Sequence, residues 1–215
     1  MSFLRFDVTT NDWVVFAPER KRRPHDLKQR IAIEQPAESF CPFCPGNERF
    51  ASPEIFALRT GGEPNTPGGR VRVVANKFPA LRIEDDLHRS EEGPLFRNMG
   101  GCGAHEVIIE TPEHDRFLGH QPVEHIEFVL RTLQLRFNDL LRDSRFQTIV
   151  IFKNHGEEAG TSLRHPHWQL IATPVVPRQL RLKHAVATEY FDRTGDCLYC
   201  VLLHEEAHAG KRSEE

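Results

Sequence analysis

The side chains best suited to catalysis or metal binding lie in one short segment, Gly160 to Gln169, with the sequence GTSLRHPHWQ. Side chains alternate between the two faces of a β-strand, so His165, His167 and Gln169 are predicted to share one face. Of two neighbouring imidazoles, one can bind a metal or orient its partner while the other acts as a nucleophile or base. The segment therefore predicts a catalytic strand that follows a glycine-containing loop.

Cys41 and Cys44 form a CxxC pair inside a turn rich in Pro and Gly. Without a secretory context, such a pair indicates metal binding or redox chemistry rather than a structural disulfide. Tetrahedral zinc takes four nitrogen or sulfur ligands, so this pair is half a site. Two completions stay open: a second CxxC pair about 150 residues further along the chain, or histidines at strand ends such as His114 and His165.

The second pair, Cys197 and Cys200, is followed by His204 and His208. Histidines four residues apart share one face of a helix. These four side chains could therefore form a local metal site. The simpler interpretation, which we favour, is the start of an amphipathic helix with incidental cysteines.

Composition excludes several classes of protein. The 215 residues carry a net charge of −3 and a sequence pI of about 6.5, which is not typical of a general nucleic-acid binder. No apolar run approaches the ~20 residues that span a bilayer, and the N-terminal residues do not resemble a secretory signal. We expect a cytoplasmic protein with no nucleic-acid or membrane partner.

Apolar spacing predicts the elements that must position these residues. Alternating or continuous apolar runs indicate strands, and spacings of three and four indicate a helix of about six turns. The predicted strands are a hairpin over 3–17 and single strands at 71–75, 106–110, 146–152 and 165–173. The predicted helices are 122–143, 178–192 and one after 197, and 84–103 is expected to be a mobile loop. This pattern predicts an α+β fold, mostly antiparallel with one long helix on a face.

The His-Pro-His-x-Gln segment, preceded by an Asn-x-Gly…Gly-x-Ser loop, resembles the galactose-1-phosphate uridylyltransferase family of the histidine-triad superfamily. Four further segments occur in the family's order: 13–24, 41–47, 74–81 and 105–114. The resemblance extends from about residue 5 to about residue 203. It implies a histidine-triad-like antiparallel sheet with one long packed helix.

The resemblance also implies roles for individual residues. His167 matches the nucleophile that takes the nucleotidyl group. The implied Zn²⁺ ligands are Cys41, Cys44, His114 and His165. The implied substrate-binding residues are Arg20 and Arg23 for phosphates, Asn76 for the nucleoside, and Asn154, Ser162 and Gln169 for the nucleotide phosphates and the transferred phosphoryl oxygens.

The activity that the resemblance implies is transfer of UMP between UDP-glucose and galactose 1-phosphate through a covalent nucleotidyl-histidine. An ADP-sugar or dinucleoside-tetraphosphate phosphorylase would use the same histidine, and Lys77, where the uridylyltransferases often carry an acidic residue, favours that alternative. A third candidate, from a different class, is a non-catalytic zinc-stabilised nucleotide-binding domain.

The family also implies a domain plan and partners. Residues 1–177 are expected to form an N-terminal transferase half-domain with the zinc turn and the catalytic strand, and 178–215 to begin a second half-domain. The expected partners are a nucleotide sugar, a sugar 1-phosphate and a second copy of the chain in a homodimer.

Overall fold

The computed structural model describes residues 1–22, 40–156, 158–161 and 163–209. Its strands are β1 (Phe3–Asp7), β2 (Asp12–Phe16), β3 (Glu54–Arg59), β4 (Gly69–Ala75), β5 (Arg89–Glu92), β6 (Phe96–Gly100), β7 (Ala104–Ile109), β8 (Thr148–Phe152) and β9 (His167–Thr173). Its α-helices are α1 (Val123–Leu140), α2 (Arg178–Thr194) and α3 (Leu198–His208). Across the described ranges, no α-helix has the length and apolar character needed to cross a bilayer.

The strands form two antiparallel sheets. The smaller sheet has the order β2-β1-β6-β5 and the larger one the order β3-β4-β7-β9-β8. The predicted α+β fold and the hairpin over 3–17 are confirmed. The smaller sheet packs on the larger one through Leu4, Leu81 and Met99, with Ile171 of β9 at their edge.

One face of the larger sheet is covered by α1. Val73, Ile108 and Leu170 are fully buried there against Val129 and Leu133 of the helix. The apolar spacing predicted this contact, although the helix is about five turns long rather than six. Burying such side chains is worth about 1.5–3 kcal/mol each, which makes this layer the main support of the sheet.

The opposite face of the larger sheet holds the candidate site. Val107 pairs with Gln169, and Ile109 pairs with His167, so these side chains point to the same side. Cys41 and Phe43 pack onto this face, against Val107 and Ile109. The CxxC turn therefore lies over the part of the sheet that carries His167 and Gln169.

The expectation of a mobile loop over 84–103 was wrong, because β5 and β6 form a hairpin there. All four residues of β5 are exposed, so the segment has no apolar alternation that could reveal a strand. Gly93, with a φ of 66°, makes the turn between them. Strand β3 (Glu54–Arg59) was not predicted at all.

Strand β9 begins at His167 rather than at His165, where the sequence placed it. Pro166 has no backbone N–H to donate to a neighbouring strand, which explains the later start. Its carbonyl oxygen still accepts a hydrogen bond from the backbone N–H of Glu110, at 3.3 Å. His165 therefore lies just before the strand, held at the sheet's end.

A buried ion pair joins α1 to the larger sheet. The Arg136 guanidinium donates to both carboxylate oxygens of Glu106, at 2.8 and 2.6 Å, and these hydrogen bonds raise the pKa of Arg136. Removing one partner leaves the other charge buried and uncompensated, which costs about 3–5 kcal/mol. We expect Arg136→Met to lower the free energy of unfolding by that amount, measured by urea denaturation.

Arg131→Met is the matched control, because Arg131 is exposed on the same helix. It should change the free energy of unfolding by less than about 0.5 kcal/mol. Equal effects from the two substitutions would show that the Glu106 contact does not stabilise the fold.

Candidate active site and metal centre

Four side chains meet at the end of the larger sheet where β9 begins. Ligand atoms of Cys41, Cys44, His114 and His165 all lie within 4.8 Å of one another. The Cys44 Sγ is 3.3 Å from His114 Nδ1 and 3.6 Å from His165 Nδ1, and the Cys41 Sγ is 3.7 Å from His165 Nδ1. A tetrahedral zinc with ordinary Zn–S and Zn–N bonds would hold sulfur and nitrogen about 3.6 Å apart. The spacing fits such an ion.

The CxxC turn is held in place by backbone and side-chain hydrogen bonds. The backbone N–H of Cys44 donates to the carbonyl of Cys41 at 3.3 Å, and the side-chain amide of Asn47 donates to the same carbonyl at 2.8 Å. The Arg72 guanidinium, from β4, donates to the carbonyl of Phe43 at 2.8 Å. Both thiols are thereby fixed over the sheet.

Hydrogen bonding and burial decide the protonation state of His165. Its Nε2 lies 2.8 Å from the carbonyl oxygen of Thr111, which can only accept, so Nε2 carries the proton and Nδ1 faces the thiols with its lone pair. Burial lowers the pKa of His165 to about 4, so the ring is neutral near pH 7. Burial, together with Cys41, raises the pKa of Cys44 to about 11. This donor set suits a divalent cation, whose charge would stabilise the thiolates.

The structure shows which residues could join Cys41 and Cys44 in a four-ligand metal site, a question that the sequence spacing left open. In the part of the chain that the structure describes, Cys41, Cys44, His114 and His165 are the one group of three or more such ligands close enough to hold a metal. Cys197 and Cys200 are exposed, at the start of α3. The histidines, not the second CxxC pair, complete the site.

His167 has a defined tautomer. Its Nδ1 is 2.8 Å from the carbonyl oxygen of His165, so Nδ1 donates and the ring's lone pair is on Nε2. The ring is 7% exposed, and Phe43 packs edge-on against it with ring centroids 5.5 Å apart. A neutral imidazole held in one orientation in this way can act as a nucleophile.

Three predicted substrate-binding residues converge on a histidine that the sequence analysis treated as an ordinary one. The His105 Nε2 is 3.0 Å from Gln169 Oε1 and 3.0 Å from Asn76 Nδ2. The Arg20 Nη1 is 3.4 Å from His105 Nδ1 and donates to the carbonyl of Phe78 at 2.7 Å. The available sequence signal was the polar pair His105 and Glu106 near the start of a strand whose other residues are apolar.

A cleft of about 430 Å³ opens where β4 ends and β7 begins, with Asn76, Lys77, Arg82 and His105 in its wall. Of the predicted site residues that the structure describes, Asn76 is the one that lines it. Ile109, the residue of β7 that pairs with His167, is four residues from His105, which is about 13 Å along the strand. A ligand that reaches both the cleft and His167 must be extended.

The remaining predicted substrate-binding residues are only partly described. Asn154 follows β8 by two residues, near the start of β9, and its carbonyl accepts a hydrogen bond from the Thr161 hydroxyl at 2.9 Å. Arg23 and Ser162 lie outside the described residues.

Residues 1–177 match the family described as galactose-1-phosphate uridyl transferase, N-terminal domain. The chain belongs to this family. Its sequence relatives include an ADP-glucose phosphorylase of Arabidopsis thaliana, 36% identical over 92% of this chain, and a galactose-1-phosphate uridylyltransferase of Thermotoga maritima, 28% identical over 98%. These matches cover 56% and 59% of the relatives, so the chain spans little more than half their length.

Solved structures of related proteins share the fold of this chain. A uridylyltransferase structure superposes with a TM-score of 0.70 at 26% identity, covering 94% of this chain and 56% of that one. The Arabidopsis thaliana ADP-glucose phosphorylase with bound ADP-glucose superposes with a TM-score of 0.66 at 30% identity, covering 95% and 59%. The resemblance and fold class inferred from the sequence are therefore confirmed.

Proposed function

We propose that this chain carries the nucleotidyl-transfer site of an enzyme that moves UMP between UDP-glucose and galactose 1-phosphate. The observation that supports this most directly is the hydrogen bond from His167 Nδ1 to the carbonyl of His165, which leaves the ring's lone pair on Nε2. Membership of the family and the uridylyltransferase relatives support the substrate class.

In the proposed first step, His167 Nε2 attacks the α-phosphorus of UDP-glucose. A nitrogen–phosphorus bond forms while the bond from that phosphorus to the bridging oxygen breaks, and glucose 1-phosphate leaves with the electron pair. Positive charge then develops on the imidazole. The hydrogen bond from Nδ1 to the carbonyl of His165 strengthens as the ring becomes charged, which stabilises the intermediate.

In the proposed second step, a phosphate oxygen of galactose 1-phosphate attacks the same phosphorus. The nitrogen–phosphorus bond breaks, the electron pair returns to Nε2, and UDP-galactose is released. Two displacements through one covalent intermediate would give ping-pong kinetics.

We assign the other predicted residues to positioning and charge neutralisation, on which nucleotidyl transfer mainly depends. Gln169 and Asn154 would donate to the transferred phosphoryl group, and Arg20 to a phosphate. Asn76 would contact the nucleoside, which the cleft beside it could accommodate. Arg23 and Ser162 keep their expected phosphate-binding roles as part of this proposal.

We propose zinc as the ion of the Cys41, Cys44, His114 and His165 cluster, because two sulfurs and two imidazole nitrogens suit it. Four protein ligands leave no position for water, so zinc would serve as a cross-link and not as a Lewis acid. It would tie the CxxC turn to His165, two residues before the start of β9, and thereby hold His167 in place. A homodimer, on the family resemblance, and a cytoplasmic location, on the sequence pattern, also remain part of the proposal.

A second candidate is ADP-sugar phosphorolysis, with inorganic phosphate as the acceptor. The ADP-glucose phosphorylase of Arabidopsis thaliana is 36% identical to this chain. Lys77, at the wall of the cleft beside Asn76, replaces the acidic residue often found there in uridylyltransferases. The same His167 chemistry would apply to either donor.

Labelled donors distinguish the two candidates. The protein is mixed with UDP-glucose or ADP-glucose carrying ³²P at the α-phosphorus, and protein-bound label is measured. We expect label from UDP-glucose that galactose 1-phosphate discharges. Label only from ADP-glucose, discharged by inorganic phosphate, would support the phosphorylase instead. No label from either donor would contradict both and leave the non-catalytic nucleotide-binding domain.

A further inference from the structure

The ring of His105 has one proton whose position its neighbours determine. The backbone N–H of Ala80 can only donate, and it lies 3.0 Å from His105 Nδ1. Nδ1 must therefore accept, so the proton of the neutral ring is on Nε2. The ring is 5% exposed, which keeps these contacts away from bulk water.

This proton determines the orientation of the Gln169 amide. The His105 Nε2–H donates to Gln169 Oε1 at 3.0 Å. Asn76 offers no acceptor to this proton, because its Nδ2 lies 3.0 Å from the same Nε2 while its Oδ1 accepts from Phe78. If the Gln169 amide were turned over, the Nε2–H would therefore face two NH₂ groups in a buried site. The carbonyl end of Gln169 is therefore fixed toward His105, and the NH₂ end lies on the other side of the amide.

The other two residues near His105 have additional anchors. Asn76 Oδ1 accepts a hydrogen bond from the backbone N–H of Phe78 at 2.9 Å, and Arg20 donates to the carbonyl of Phe78. Loss of the His105 ring proton would leave those two hydrogen bonds in place. Loss of this proton should therefore mainly change the orientation of the Gln169 amide.

We propose that His105 is a positioning residue for nucleotidyl transfer: it holds the Gln169 amide so that its NH₂ group, not its carbonyl, faces the transferred phosphoryl oxygens. This inference rests on the proposed function. An NH₂ group stabilises the charge that grows on those oxygens, whereas a carbonyl oxygen would repel it.

Two conservative substitutions distinguish the roles of the two ring nitrogens of His105. In His105→Gln the amide nitrogen takes the place of Nε2 and keeps the donor to Gln169. In His105→Asn the side-chain oxygen takes the place of Nδ1, keeps the acceptor for Ala80 and removes the donor. We expect His105→Asn to slow nucleotidylation of His167 about 10- to 100-fold in single-turnover assays, with KM for the nucleotide sugar within about threefold. His105→Gln should stay within about threefold of wild type.

A double-mutant cycle tests whether His105 acts through Gln169. In the Gln169→Ala background, His105→Asn should have no further effect on the rate. Zinc content and melting temperature should match between His105→Asn and His105→Gln. His184→Asn is the matched control, since His184 is exposed on α2 and should not alter the rate.

The outcomes separate this inference from the proposed function. If wild type forms no nucleotidyl adduct with any donor, the proposed function fails. If wild type forms the adduct and His105→Asn forms it equally fast, or if the two His105 substitutions slow it equally, the positioning role of His105 is overturned. Full additivity with Gln169→Ala would also overturn it.

Discussion

Replacing His167 with Ala is expected to reduce turnover of the nucleotide sugar by about 10⁴-fold or more. The substitution removes the only group proposed to form a bond to the α-phosphorus, and the substrate-binding residues cannot supply a covalent route. Steady-state exchange between the nucleotide sugar and sugar 1-phosphate measures the effect. Nucleotide binding should persist, because the cleft beside Asn76 is not altered.

His120→Ala is the matched control, since His120 is exposed in a short 3-10 turn before α1. It should leave turnover within about twofold. A His167→Ala protein that kept more than a tenth of wild-type turnover would show that another group, or direct attack by the acceptor, carries the reaction.

The second large effect is expected from loss of the metal centre. Cys44→Ser should lower the bound-metal content and the melting temperature and abolish turnover, because the free energy of metal binding is coupled to folding. Structural zinc sites contribute about 10–16 kcal/mol of binding free energy in small peptides, which is comparable with the whole stability of a domain. Metal analysis and thermal denaturation measure the change, and chelation of the wild-type protein should reproduce it.

Cys200→Ser is the matched control, because the same substitution then falls on an exposed thiol outside the cluster. It should shift the free energy of unfolding by less than about 0.5 kcal/mol. A metal-free wild-type protein with unchanged melting temperature and turnover would contradict a structural role for the ion.

Elements with strong apolar patterns could be predicted from the sequence. Helix α1 has apolar residues at helical spacing because it lies on a sheet, and β7 and β9 contain apolar runs because they are buried inside the sheet. Strand β8 is also rich in apolar residues, although it is only half-buried at the edge of the sheet. The hairpin of β5 and β6 escaped prediction because β5 exposes every side chain, so its pairing leaves no periodic signal.

The residues of the candidate site also differ in whether the sequence alone could predict them. His167 and the CxxC pair at Cys41 could be found from residue type and local spacing. The choice between His114 and the second CxxC pair depended on which loop the fold brings to Cys44, and local spacing says nothing about that. The contacts of His105 with Gln169 of β9 and with Asn76 just after β4 depend on how β7 pairs with those two strands, so a sequence without known strand pairing does not reveal them.

Intact-mass spectrometry of the protein after brief mixing with UDP-glucose, and separately with ADP-glucose, addresses the covalent intermediate most directly. We expect one donor to add the mass of a single nucleotidyl group, the acceptor to remove it, and His167→Ala never to acquire it. An unmodified mass with both donors under turnover conditions, or an adduct of equal yield on His167→Ala, would contradict this expectation.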